Sequence, residues 1–275
     1  MPSVSLTMIV RDEETALPDA LRCVADLVDD VVVVDTGSTD RTREAAAAVC
    51  PGARIFDFPW CDDFSAARNE ALRHARGEWI FWIDADDRID EAGRAKLRDL
   101  FARLPAADSP GDGPNTIFTM PYVSHTPWCE GLAPVVPYQR LFRNRPDIRW
   151  VGRVFETVQS TNPHLGATNV PIDIPVTHFG YADLRQFVHK LQRNRRLFLL
   201  EQAELSARLE GVAFRLRQTD ETLPIYERLV QIETQLGAGG DAQLAHEQRQ
   251  LLWRLAHPQG APGAAELSTT TVIVG

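Results

Sequence analysis

Hydrophobic positions in the first third of the chain change period several times, and each change marks an element. Val4 to Val10 is a short β-rich run, Val31-Val32-Val33-Val34 is uninterrupted and β-branched, and Ala53 to Phe58 and Trp79 to Ile83 are further strand candidates. An apolar run without polar alternation is the pattern of a strand buried on both faces of a parallel sheet. Between these runs apolar residues recur at helical spacing: Leu17, Ala20, Leu21, Val24 and Leu27 within Glu13 to Val28, then helices over Arg41 to Val49 and Ser65 to Ala75. The polar turn Asp35-Thr36-Gly37-Ser38-Thr39-Asp40 supplies an N-cap for the second helix. Four strands alternate with three helices, which predicts a mostly parallel α/β sheet with helices on both faces.

A helix over Asp90 to Leu104 comes next, then a Pro/Gly-rich connector from Pro105 to Pro114. Strands are expected near Thr116 to Val123, Gln139 to Arg143 and Ile172 to Phe179. From Ala182 the pattern turns to long amphipathic helix, with Leu184, Phe187, Val188, Leu191, Phe198 and Leu199 on one face. Further helix is expected over Glu221 to Leu236 and Ala242 to Leu255. The organisation predicted is a sheet domain over 1–181, a helical region over 182–257, and a tail over 258–275 that is flexible or adds an edge strand.

Composition narrows the class. The 275 residues are 44% hydrophobic and 24% charged, ordinary for a globular protein, with a net charge of −9. That sign argues against tracking nucleic-acid phosphates, which calls for a basic footprint. Arg185, His189, Lys190, Arg193, Arg195 and Arg196 form a local basic exception. The four cysteines, Cys23, Cys50, Cys61 and Cys129, show no C-x-x-C spacing, so neither a zinc knuckle nor a thioredoxin-type site is readable. No apolar run approaches the roughly 18 residues of a membrane span. Together with the absence of a charged leader before Val4, these features predict a cytoplasmic location without a membrane span.

The candidate chemistry lies where strands end. In parallel sheets ligands bind outside the carboxyl ends of the strands, and three of the four strand ends here are acidic: Arg11-Asp12-Glu13-Glu14, Asp35, and Asp84-Ala85-Asp86-Asp87. Two acids one residue apart after a hydrophobic strand can supply hard oxygen ligands to a divalent metal that also holds a diphosphate. A D-x-D triplet alone is also common as a solvated turn.

Context raises its weight. Five stretches stand in order: Leu6 to Glu14, Val33 to Asp40, Asp63 to Asn69, Ala75 to Trp79, and Trp82 to Asp87. Together they resemble family 2 glycosyltransferases, and Gln139 to Asn144 and Trp150 to Glu156 extend the likeness more loosely. The later pieces look most like the branch with peptide-modifying and helical-repeat-containing members. The resemblance implies a GT-A fold, a Rossmann-like nucleotide-binding mixed sheet flanked by helices, here with a C-terminal helical extension. It implies an inverting, metal-dependent hexosyltransferase that uses a nucleotide-sugar donor, by family habit a UDP-sugar, with Mn2+ or Mg2+.

By the same resemblance Val10, Arg11 and Glu13 would line the nucleobase pocket, and Asp35 would hydrogen-bond the base. Arg68 would position the nucleotide. Asp84 would touch the ribose or the metal, Asp86 would ligate the metal, and His178 would complete the metal shell. For Asp40 and Asn69, capping and turn support are favoured over ligand contact. Glu156 is the first candidate for the catalytic base, with Asp87 behind it. The plainer reading of Glu156 is a buried pair with Arg153 or Arg140. The family pattern usually ends that stretch in His-Glu, where this chain has Phe155-Glu156. The basic run could neutralise the departing diphosphate or be a solvated helix face, and Trp128 and Trp150 could stack on an acceptor or belong to the core.

The acceptor is not readable. A protein or peptide side chain or a glycan is favoured, a lipid carrier stays open, and the acidic balance disfavours modified bases in DNA. Two rivals remain: a nucleotidyltransferase, whose Gly-rich first loop is missing here, and a vestigial sugar site on a partner-binding module. A dehydrogenase is excluded, because Arg11-Asp12-Glu13-Glu14 stands where G-x-G-x-x-G should follow the first strand.

Overall fold

The structure, a computed structural model, describes residues 2–106, 116–129, 135–162, 167–204, 223–232, 235 and 242–256. The tail from 258, most of the Pro105–Pro114 connector and the ends of the helix expected over Glu221–Leu236 lie outside the described residues. The chain divides into two units. The first holds Met1–Val123 and Val135–Phe179, and the second holds Ser124–Pro134 and Gly180–Gly275.

Among the described residues, the first unit is built on a nine-stranded mixed sheet. Strands β1 (Val4–Val10), β2 (Asp30–Asp35), β3 (Arg54–Asp57) and β4 (Trp79–Trp82) form its parallel half, in the order β3-β2-β1-β4. The sheet continues through β7 (Val136–Arg143), β6 (Thr116–Ser124) and β11 (Val176–His178) to the two-residue β5 (Asp87–Arg88), and β10 (Thr168–Pro171) pairs with β6. The β4–β7, β6–β7 and β5–β11 pairs are antiparallel, so the sheet is mixed. Strands β8 (Ile148–Val151) and β9 (Thr157–Ser160) make a separate two-stranded ribbon.

The unbroken valines of β2 behave as their pattern predicts. Val31 and Val33 pack into the larger core with Leu6, Met8 and Leu21, while Val32 and Val34 face Ala71 of α3 on the other side. β4 divides likewise, Trp79 and Phe81 going to the larger core and Ile80 and Trp82 to a second cluster with Phe142 and Trp150. Helices α1 (Leu17–Val24), α2 (Thr42–Val49), α3 (Phe64–His74) and α4 (Glu91–Arg103) connect these strands. Asp63 and Asp90 cap α3 and α4 through the Ala66 and Gly93 amides.

Several boundaries differ from the sequence expectation for local reasons. α1 begins at Leu17 instead of Glu13, because Pro18 fits only the first turn, and a 3-10 turn over Ala25–Leu27 replaces its last residues. The strand expected over Ile172–Phe179 shortens to β11, since Pro175 cannot continue a ladder.

In the second unit α5 (Leu184–Glu204), α6 (223–232) and α7 (Ala242–Ala256) carry the helical character expected. On α5 the buried face is Leu184, Phe187, Val188, Leu191, Leu197 and Phe198, whereas Leu199, expected there, is 42% exposed. Leu199 lies one residue past Phe198 and so turns about 100° away from that stripe. No helix among the described residues is long and apolar enough to cross a membrane.

Gly77 marks the tightest backbone approach in the sheet. A Cβ there would stand 2.5 Å from the Ser5 amide nitrogen and 2.7 Å from the Val4 carbonyl carbon. The Ser5 hydroxyl accepts the Gly77 N–H at 2.7 Å, so the turn into β4 is fastened against β1. Gly77→Ala should therefore lower unfolding stability by about 1–3 kcal/mol, measured by urea denaturation, while Gly52→Ala, where nothing lies within 4 Å, should change it little.

Candidate active site

The carboxyl ends of β1, β2 and β4 lie along one edge of the sheet, and the acids of the sequence analysis collect there. Asp35 ends β2 with 3% exposure. Its Oδ1 accepts the Gly37 and Ser38 amides at 3.0 and 2.8 Å, and Arg43 Nη1 lies 3.8 Å from Oδ2. One oxygen thus builds the turn and the other faces a cation. Val10, buried at the end of β1, leads into Arg11 and Asp12, and Asp12 holds a left-handed φ of 54°. That turn is laced to the next one: Asp12 Oδ1 accepts the Thr39 amide at 2.7 Å, and the Glu13 amide donates to Thr42 Oγ1 at 2.7 Å. Asp40 accepts the Thr42 and Glu14 amides at 2.9 and 3.0 Å, which is turn support.

The loop after β4 carries three carboxylates, each held differently. Asp87 has no exposure at all. Its Oδ2 accepts Arg140 Nη1 at 2.8 Å and the Asp84 amide at 2.9 Å, and its Oδ1 lies 2.9 Å from His178 Nδ1. Burial by itself would raise the Asp87 carboxyl, but Arg140 and His178 outweigh it and hold its pKa well below the usual carboxylate range. Asp86 Oδ1 lies 3.3 Å from the same His178 nitrogen, and its backbone carbonyl accepts the Phe179 amide at 2.8 Å. Asp84 Oδ1 accepts Arg68 Nη2 at 3.0 Å.

Ligand atoms from Asp84, Asp86, Asp87 and His178 all fall within 4.8 Å of one another. Three carboxylates and one imidazole make a hard, mostly oxygen donor set, the kind that suits Mn2+ or Mg2+, with the imidazole tilting the balance toward the transition metal. The residues therefore fit a divalent cation. Sequence reasoning placed Asp84, Asp86 and His178 in that shell; Asp87 joins the same cluster.

Arg68 is the second organiser. It is buried on α3, donates Nε to Glu156 Oε1 at 2.5 Å, and lies with Cζ 4.0 Å from the Trp82 ring and 5.1 Å from that of Trp150. Burial disfavours its charge, but Asp84 and Glu156 more than compensate and keep its pKa above the ordinary arginine value. Glu156 is thus paired with Arg68, not with Arg153 or Arg140. Arg153 instead donates to the Asp62 carbonyl at 2.9 Å. The bend that delivers Glu156 uses left-handed φ values at Gly152 (108°) and Phe155 (53°).

Asn69 clamps the backbone of Trp150, its amide nitrogen donating to the carbonyl at 2.9 Å and its oxygen accepting the N–H at 3.0 Å. Trp150 is 3% exposed and packs edge-on to Trp82, which makes it core. Trp128 belongs to the second unit, where its indole N–H donates to the Tyr181 carbonyl at 2.6 Å. The basic run lies on α5 of the same unit, with Arg185, His189 and Arg196 exposed.

Comparison with known proteins fits this geometry. Residues 5–115 match the family described as glycosyl transferase family 2, the family that the sequence resembles. The mixed sheet with flanking helices is the GT-A class of fold expected from the sequence. A TPR repeat-containing protein of Synechococcus elongatus is 39% identical over 189 residues, covering 66% of this chain and 43% of that one. The SPbeta prophage-derived glycosyltransferase SunS of Bacillus subtilis is 26% identical over 185 residues, covering 66% and 40%. The chain thus spans less than half the length of these relatives. Among solved structures, TarS 1-349 of S. aureus in complex with UDP aligns with a TM-score of 0.43 at 15% identity, covering 80% of this chain and 69% of that one.

Arg68 satisfies two carboxylates at once, so its removal strands both. Arg68→Met should lower unfolding stability by about 3 kcal/mol, measured by denaturant titration, and Arg68→Lys should recover only part of the loss, because an ammonium cannot span both acids. Asp87 adds an acid dependence. Its depressed pKa contributes stability that is complete above about pH 4, the ordinary carboxylate range. That contribution drains as pH falls below it toward the folded-state pKa. Asp87→Asn should flatten this acid limb in a series of thermal melts.

Proposed function

We propose that this chain transfers a sugar from a nucleoside-diphosphate sugar to an acceptor, with inversion, at the carboxyl edge of the parallel strands. The observation that carries the proposal is the meeting of Asp84, Asp86, Asp87 and His178 within 4.8 Å after β4, in a chain whose residues 5–115 match glycosyl transferase family 2. In this reading Asp35, at the end of β2 near the Val10–Glu13 turn, would take an N–H of the base, and a uracil offers one. The donor in this reading is a UDP-sugar.

Asp86 and His178 would hold a divalent cation, with Asp84 and Asp87 beside them. A bound cation would act as a Lewis acid and offset negative charge on the departing diphosphate. The chain's own residues do the remaining work. Arg68 keeps Asp84 oriented from one side while it holds Glu156 from the other. Attack by the acceptor nucleophile on the anomeric carbon breaks the bond to the nucleoside diphosphate, and the acceptor's proton must leave with that attack.

Of the two candidate bases, Asp87 has no exposure and engages both oxygens, Oδ2 with Arg140 and the Asp84 amide and Oδ1 with His178. A carboxylate held so far below its usual pKa is a poor proton acceptor. Asp87 is therefore assigned to positioning and Glu156 to proton removal. The Arg68 pairing sets the direction of the Glu156 carboxylate. The acceptor class favoured is a peptide side chain or a glycan, as the family resemblance of the sequence implies.

The test is donor binding followed by turnover. At 100 times its dissociation constant, UDP with Mn2+ should stabilise the protein by about 2.7 kcal/mol, UDP without metal far less, and Asp86→Ala should abolish the difference. Glu156→Gln should lower the transfer or hydrolysis rate about 10²- to 10⁴-fold while leaving UDP binding within a few fold. If no nucleotide stabilises the protein with or without metal, the chain is not a working donor site, and a role in partner binding replaces the reading.

A further inference from the structure

Arg140 is a charge with no access to solvent. It stands in β7 with 0% exposure, its Nη1 bound to Asp87 Oδ2 at 2.8 Å and 3.5 Å from the Trp82 carbonyl. Its Nε and Nη2 have no hydrogen-bond acceptor among the described residues. Aromatic rings surround it instead, with Cζ 4.0 Å from the Trp82 centroid, 5.6 Å from that of Tyr138 and 5.8 Å from that of Tyr122. Burying a guanidinium with two donors unmatched is costly, and apolar replacements of buried ion pairs often stabilise proteins. Stability alone therefore does not account for an arginine here.

The local charge balance does. Asp84, Asp86 and Asp87 bring three negative charges into a cluster whose ligand atoms lie within 4.8 Å. At such distances and low effective dielectric their mutual repulsion is large. Two buried guanidiniums answer it, Arg68 on Asp84 and Arg140 on Asp87, and both lie 4.0 Å from the ring of Trp82, two residues before Asp84. Arg68 also serves Glu156. Arg140 pairs with Asp87 alone among the acids described.

We propose that Arg140 is a positioning residue whose role is electrostatic. Its guanidinium stands in for part of a divalent cation's charge, so the cluster assembles before metal arrives and then binds the metal less tightly. This rests on the metal reading given under Proposed function. Arg140 touches no candidate ligand except Asp87, so its influence on a cation passes through that carboxylate and through the field. The sign follows: removing the arginine charge raises affinity for a divalent cation, and removing the Asp87 charge lowers it. A purely structural arginine would give the opposite result, since loosening the cluster weakens metal binding in every variant.

The test measures Mn2+ dissociation constants by electron paramagnetic resonance at one fixed neutral pH, together with the melting-temperature rise that Mn2+ produces. Arg140→Met should bind Mn2+ about tenfold tighter than the parent and gain more thermal stability from it, although it is less stable without metal. Arg140→Lys should stay near the parent. Asp87→Asn should bind more weakly, and the double variant Asp87→Asn/Arg140→Met should regain most of that loss. Folding of Arg140→Met only in the presence of Mn2+ would also support the proposal. A folded Arg140→Met that binds Mn2+ no tighter than the parent overturns it. So does a double variant no tighter than Asp87→Asn, the deciding comparison if Arg140→Met fails to fold under all conditions. Absence of Mn2+ binding by the parent would overturn the metal reading itself, and this proposal with it.

Discussion

A carboxylate kept ionised without solvent has to be held from several directions, and at Asp87 those directions define the site. Arg140 comes from β7, the imidazole of His178 from β11, and the amide of Asp84 from the loop itself. Each contact lowers the cost of burying the charge, and each fixes an element relative to β4. β5, only two residues long, pairs with β11 through Asp87 and Arg88, so the ladder and the ion pair support the same residue. Breaking a buried pair of this kind typically costs about 3–5 kcal/mol, a large share of a domain's net stability. The Asp84–Asp86 geometry depends on that anchor.

Trp82 joins this anchor to the second one. Its ring is the platform for both Arg68 and Arg140, and its indole N–H is spent on the Gln139 carbonyl at 2.5 Å. A large aromatic at the last position of β4 therefore lets two cations approach the acid loop from within the protein while neither is solvated. Glu156 is tied into the same assembly through Arg68. The candidate base, the candidate metal ligands and the core under them form one connected set of charges.

The parallel half of the sheet was legible because both of its faces are buried. Val31 to Val34 and Trp79 to Trp82 divide residue by residue between two cores, and such runs have few alternative readings. The acids at the strand ends were legible for a related reason, since ligands of open parallel sheets bind outside the carboxyl ends of the strands. β8 and β9 escaped notice: they are four residues each, and their register depends on the left-handed turn at Gly152 and on Asn69 clamping Trp150. The partners of Asp87 were not readable either. Arg140 and His178 stand 53 and 91 residues further on, and no local pattern says which arginine will meet which acid.

What ties these observations to chemistry is one proposal: Asp84, Asp86, Asp87 and His178 after β4 would hold a divalent cation beside a nucleoside diphosphate. Anomalous diffraction at the manganese edge, from crystals grown with Mn2+ and UDP, tests it most directly. The account predicts one strong peak among Asp84, Asp86, Asp87 and His178, with the diphosphate against it and the base beside Asp35. A nucleotide bound elsewhere, or a cluster still closed on itself with no peak at saturating Mn2+, would contradict it.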